Sequence, residues 1–141
     1  GKELCRYLIR KEQQHCIDKK MMTPRDDAYK GTIVILTSPI TFSSAESFVI
    51  DMKESGNATL IGEPTAGDTG NRPQKFHTSH GIYFYIPTRA PAFSPKGFPL
   101  EGEGITPHHV VRQTVNDYLN DKDTQLEYAL RFIIEKRVCH K

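Results

Sequence analysis

Residues 32–70 read TIVILTSPITFSSAESFVIDMKESGNATLIGEPTAGDTG, and this stretch decides the fold. Residues 32–37, TIVILT, form a continuous apolar, β-branched run without alternation. Such a run suits a strand buried on both faces of a parallel sheet. Pro39 ends it, because proline has no N–H to give a ladder. Ala45, Phe48, Val49 and Met52 then recur at i, i+3, i+4 and i+7, an amphipathic helical stripe. Ser43 and Glu46 have the spacing of a capping box, in which the Ser43 oxygen would accept from the Glu46 N–H and Glu46 would reach back. Gly56 is placed to stop the helix. Residues 58–61, ATLI, read as a second short strand. Strand, helix and strand make a βαβ unit, whose crossover should be right-handed. In such sheets ligands bind beyond the carboxyl ends of the strands. Ser43 falls there, at the helix entrance.

Outward from this unit the signals weaken. Residues 2–11 read as a helix with Leu4, Cys5, Leu8 and Ile9 on its apolar side. Residues 12–30 are polar and read as a surface connection with a short strand near residues 15–17. Pro64, Gly67 and Gly70 punctuate a loop over 63–70. Residues 75–78 and 82–86 read as a hairpin around 79–81. Its second arm alternates Ile82, Phe84 and Ile86 with Tyr83 and Tyr85, as a half-buried strand would. Residues 87–107 are rich in proline and glycine and read as an extended loop, followed by a short strand at 108–111. A last helix should begin at an Asp123 N-cap and bury Leu126, Leu130, Ile133 and Ile134.

The chain has 141 residues, 37% hydrophobic and 26% charged, which is one globular domain in length and composition. A net charge of +2 argues for neither nucleic acid nor an anionic membrane. No apolar run approaches the roughly 20 residues that span a bilayer. Cys5, Cys16 and Cys139 are widely spaced, which reads as two core cysteines and one near the chain end. No CxxC or Cys/His spacing suggests a metal, and no cofactor motif is present.

Ser43 is the candidate nucleophile. A serine hydroxyl needs a base to remove its proton and donors for the oxyanion it creates. At a helix N-terminus the following amide, Ser44 N–H, is free of intrahelical bonding, and the helix dipole favours negative charge there. Physics alone leaves a plain capping role for Ser43 open.

VILTSPITFSSAESF at 34–48, ATLIGEPTAG at 58–67 and EGEGITPHHVV at 101–111 resemble, in that order, the C-terminal processing (tail-specific) serine peptidases. The likeness is nearest to the branch with the tricorn core and the interphotoreceptor retinoid-binding repeats. The resemblance implies a crotonase/ClpP-like α/β fold, a spiral of ββα units, with residues 1–141 as a single domain that is the C-terminal portion of a catalytic domain. It implies that Ser43 is the nucleophile, that the Ser44 amide serves the oxyanion hole, and that Glu101 is an orienting carboxylate, with Glu103 as the register alternative. One branch of the family places a base lysine just after the turn at 62–67. Here Asp68 stands there, and Lys75 is a weak substitute. The other branch takes a histidine from an upstream segment with no counterpart in this chain. His15, His77, His80, His108, His109 and His140 are all misplaced for that role and read as surface or structural residues.

The function implied is a serine peptidase acting on peptide or protein substrates through an acyl-enzyme, with its base supplied from outside this chain. The alternative is an inactive homologue that binds an apolar ligand or partner, through the Tyr83 and Tyr85 face and Phe93 and Phe98. Family habit points to the bacterial envelope or periplasm. An exposed sheet edge would allow a homo-oligomer.

Overall fold

The computed structural model describes residues 1–69, 73–88, 93–99 and 101–138. Gly70, Cys139, His140 and part of the 87–107 loop lie outside the described residues. The architecture is mixed α/β, as expected. Helix α1 (Lys2–Leu8) leads into a small antiparallel pair, β1 (Gln13–Gln14) and β2 (Met21–Met22). The strand expected near 15–17 is therefore two shorter ones that flank it. Strand β3 (Ile33–Thr37), helix α2 (Ser44–Ser55) and strand β4 (Ala58–Gly62) then form the βαβ unit. Strands β3 and β4 pair in parallel, with Ile33 opposite Ala58 and Ile35 opposite Leu60.

A hairpin follows, β5 (Gln74–His77) against β6 (Tyr83–Ile86). Strand β7 (His109–Val110) joins the other side of β4 in parallel, giving the order β3-β4-β7. Helices α3 (Val115–Leu119) and α4 (Thr124–Val138) end the described chain.

The core is built around α2. Ile33, Ile35, Ala58 and Leu60 share one face of the sheet and meet Phe48, Val49 and Met52. Cys5, Ile9, Cys16 and Met22 cover the helix from α1 and the β1–β2 pair. Cys5 and Cys16 are both free and buried, as expected of core cysteines. Each fully buried Ile, Leu or Met contributes about 1.5–3 kcal/mol. Because α2 is covered on more than one side, its buried set is wider than a stripe. Glu46, Ser47, Ile50 and Asp51 are buried as well, while Ala45 is exposed. Gly56 ends the helix in the left-handed conformation at φ 69°, as expected.

Three expectations change. First, β3 is not buried on both faces: it is an edge strand of the three among the described residues, and Leu36 is exposed. Second, the hairpin is not half-buried: every residue of β5 and β6 is exposed, and Phe76 stacks on Phe84 with ring centroids 5.7 Å apart. Cross-strand pairing of this kind holds the two arms together without a core beneath them. Third, α4 does not bury its leucines. Asp123 caps it as expected, its Oδ1 accepting from the Leu126 N–H at 2.9 Å. The helix then turns Ala129 inward, with Phe132 and Ile133 half-buried, and leaves Leu126, Leu130 and Ile134 exposed.

Candidate active site

Between β3 and α2 the chain turns sharply. The Thr41 N–H donates to the Ser38 carbonyl at 2.9 Å, and Thr41 Oγ1 accepts from the Ser38 N–H at 3.2 Å. The turn delivers Ser43 to the start of α2 with φ 56° and ψ −126°. A positive φ is uncommon outside glycine and costs of order 1–3 kcal/mol. The backbone of Ser43 is held on both sides. Its N–H donates to the Asp68 carbonyl at 2.9 Å, and its carbonyl accepts from the Ser47 N–H at 3.2 Å.

The side chain of Ser43 is not held. It makes no capping hydrogen bond, so the expected capping box is absent. An N-cap serine needs an extended backbone to lay its oxygen over the first-turn amides, and the positive φ of Ser43 denies that. Glu46 does not reach back either. It is buried, 1% exposed. Its Oε1 accepts from Thr65 Oγ1 and from the Gly67 N–H at 2.7 Å, and its Oε2 accepts from Thr69 Oγ1. Ser44 opens α2 on the exposed side. Among the described residues neither the Ser43 hydroxyl nor the Ser44 N–H has a hydrogen-bond partner. A free hydroxyl on a strained strand-to-helix turn, beside a free helix-terminal amide, is the geometry of a nucleophile elbow.

Glu101 comes to this place through the backbone. Asp68 and Glu101 form an antiparallel bridge, and the Gly102 N–H donates to the Gly67 carbonyl at 2.8 Å. Asp68 thus touches Ser43 on one side and Glu101 on the other. Glu101 is half-buried; Glu103 is exposed and lines a separate cleft with Ile50, Lys53 and Phe98. The two segments are bolted together further on. The Ile105 N–H donates to Thr65 Oγ1 at 2.8 Å, and a Cβ at Gly104 would stand 1.9 Å from the Thr65 carbonyl oxygen.

No histidine among the described residues is hydrogen-bonded to Ser43. His15 faces Asp18 and Asp51. His77 and His80 belong to the exposed hairpin and its turn. His109 Nδ1 lies 3.1 Å from the Tyr128 hydroxyl. His108 Nδ1 accepts from the Leu60 N–H at 2.8 Å while its own N–H donates to the Leu60 carbonyl at 2.9 Å. Desolvation first, then the charge of Lys53, hold His108 below the ordinary histidine pKa. Lys75 sits on β5 with its Nζ 3.9 Å from the centre of the Tyr83 ring.

Sequence reasoning missed what Glu46 does. Spacing marked it as half of a cap, whereas it anchors the loop at 62–69. A signal existed: Glu46 and Thr65 belong to two of the sequence blocks that occur together, and a buried carboxylate needs such donors.

The family model for peptidase family S41 matches residues 4–111. The tricorn protease of Thermoplasma acidophilum is 29% identical over 110 residues, 78% of this chain and 10% of that protein. The tricorn protease homolog of Saccharolobus solfataricus is 30% identical over 105 residues, 74% of this chain and 10% of that protein. The chain therefore spans about a tenth of the length of these curated relatives. Among solved structures, a tricorn protease superposes with a TM-score of 0.74 at 25% identity, over 95% of this chain and 13% of that one. A peptidase-like protein of Parabacteroides merdae superposes with a TM-score of 0.81 at 18% identity, over 94% of this chain and 46% of that one, and shares the fold. The three sequence blocks and their order thus carry the relationship they implied, and this chain belongs to peptidase family S41.

Proposed function

We propose that this chain carries the nucleophile side of a serine peptidase active site, as the C-terminal portion of a catalytic domain. Ser43 Oγ attacks the scissile carbonyl carbon of a peptide, and its proton passes to a histidine base from a segment outside this chain. The carbonyl oxygen becomes an oxyanion and is received by the Ser44 N–H. Collapse breaks the C–N bond, the departing amine takes the proton, and the acyl group stays on Ser43. Water then attacks the ester with the same base and frees the carboxylate product. Glu101 orients the site as a fixed acceptor.

The observation that carries this reading is the Ser43 turn, where strained backbone and an unpartnered hydroxyl coincide. A cap would have spent that hydroxyl on the helix. The bridge from Asp68 to Glu101 favours Glu101 over Glu103. No helix among the described residues is long and apolar enough to cross a membrane; a place in the cell envelope rests on the resemblance, and assembly with further copies on an exposed sheet edge. The exposed aromatic hairpin favours a second reading, a homologue that binds an apolar partner without cleaving it.

The test is peptide hydrolysis by the full-length parent protein. Ser43→Ala should lower turnover by about 10³-fold or more. Unchanged turnover in that variant would overturn the assignment. The chain alone should hydrolyse no peptide; robust Ser43-dependent cleavage by it would place the base within residues 1–141.

A further inference from the structure

Asp51 lies in the middle of α2, about 12 Å along the helix from Ser43 at 1.5 Å per residue. It is 2% exposed and faces the β1–β2 segment rather than the sheet. Its Oδ1 accepts from the Cys16 N–H at 2.8 Å. Its Oδ2 is buried and has no hydrogen-bond partner among the described residues. A buried carboxylate oxygen left this way is costly and calls for a cation.

Two further donors converge on it. His15 Nε2 is 3.5 Å from Asp51 Oδ2. The Cys16 thiol, 0% exposed, completes a set in which one ligand atom from each residue lies within 4.8 Å of the others. The other ring nitrogen of His15, Nδ1, is 3.1 Å from Asp18 Oδ1. The Asp18 N–H also donates to Nδ1, at 3.3 Å. Asp18 accepts as well from the Lys20 N–H at 3.0 Å and from Lys2 Nζ at 3.1 Å, as an ionised carboxylate does. In the tautomer with its hydrogen on Nδ1, His15 directs the Nε2 lone pair toward Asp51 Oδ2, the arrangement a metal ligand adopts. A cation placed between them would then be held by both.

We propose that His15, Cys16 and Asp51 form a binding site for a divalent cation of the zinc class. Without a metal the Cys16 thiol donates to the Ser47 carbonyl at 3.4 Å, and metal binding would exchange that weak hydrogen bond for a metal–sulfur bond. Nitrogen, sulfur and oxygen together are a zinc ligand set. Bonds of about 2.0–2.3 Å at tetrahedral angles separate ligand atoms by about 3.3–3.7 Å, and the His15–Asp51 separation already fits. The Asp18–His15 contact is the carboxylate–histidine support that such sites carry. On binding, the Cys16 S–H bond breaks, the sulfur keeps the electron pair for the metal, and the proton leaves to solvent. A water entering beside the half-buried His15 fills the fourth position. The bound ion would tie the β1–β2 segment to the helix that presents Ser43.

The experiment is equilibrium dialysis of the full chain against Zn²⁺, followed by Co²⁺ substitution and absorption spectroscopy. The expected result is about one equivalent of metal and, with Co²⁺, a sulfur-to-metal charge-transfer band with tetrahedral d–d bands. Cys16→Ser should abolish the charge-transfer band, and Cys5→Ser should leave it. His15→Ala and Asp18→Asn should each weaken Zn²⁺ binding about tenfold or more. His15 and Asp18 are less buried than Asp51, so these variants keep the test open if Asp51→Asn does not fold. Absence of stoichiometric metal, a missing charge-transfer band, or a band that survives Cys16→Ser would overturn the proposal.

Discussion

The Glu46 carboxylate lies 2.7 Å from the Gly67 amide nitrogen, and that hydrogen bond joins the first turn of α2 to the loop that holds the Ser43 backbone. Thr65 and Thr69 donate to the same carboxylate. Glu46→Ala would leave three buried donors unsatisfied and should cost about 3 kcal/mol or more in a denaturant melt. Glu46→Gln keeps the oxygen that serves Gly67 and should cost about 1–2 kcal/mol. Equal, small losses in both variants would mean that the carboxylate anchors nothing.

The Ser43 backbone gives a prediction of opposite sign to a cap. Replacing a capping serine by alanine costs about 0.5–2 kcal/mol, and by glycine a few tenths. Here Ser43→Gly relieves a positive φ at a residue with no capping bond. It should stabilise the chain by about 1 kcal/mol while removing the reactive hydroxyl. A destabilised Ser43→Gly variant in thermal or denaturant unfolding would restore the capping role.

Much of this was legible from local pattern. The apolar run at 32–37, the helix stop at Gly56, the short strand near 109 and the Asp123 cap depend on neighbours within a few residues, and each is present. What local pattern cannot encode is which surface meets which. Residues 82–86 alternate as a half-buried strand would, yet their hairpin stands clear of the core. Leu126 and Leu130 have core spacing, but Ala129 faces inward. Glu46 reaches Thr65 across nineteen positions (65 − 46 = 19), and Asp51 reaches Cys16 across thirty-five (51 − 16 = 35). Ser43 and Ser44 are proposed for the site on spacing and resemblance, and Glu101 on resemblance alone. The contact that brings Glu101 beside Asp68 is again long-range.

Gly104 tests the seam between the loop at 62–69 and the segment that carries Glu101. A Cβ there would meet the Thr65 carbonyl oxygen at 1.9 Å, a backbone atom that cannot swing aside. Gly104→Ala should cost about 2–3 kcal/mol. It should also displace Glu101 relative to Ser43, so any Ser43-dependent activity of the parent protein should fall with it. A neutral melt for this variant would mean that the seam is loose.

His108 predicts a pH dependence. Although His108 is exposed, partial desolvation of its ring, then the charge of Lys53, depress its folded-state pKa below the ordinary value near 6.5. As pH falls through the unfolded value, the unfolded chain takes up a proton that the folded chain refuses, so stability drops with acidification. His108→Asn keeps an acceptor in place of Nδ1 and cannot titrate. The stability loss of the wild type between about pH 7 and 5 should shrink in this variant. Parallel pH profiles for the two proteins would contradict the assignment.

The most direct test of the central claim is covalent labelling of the full-length parent protein with a serine-reactive phosphonate, mapped by peptide mass spectrometry. The account predicts one phosphonylated residue, Ser43, and no label in Ser43→Ala. Equal labelling of the wild type and Ser43→Ala, or a label on another serine, would contradict it.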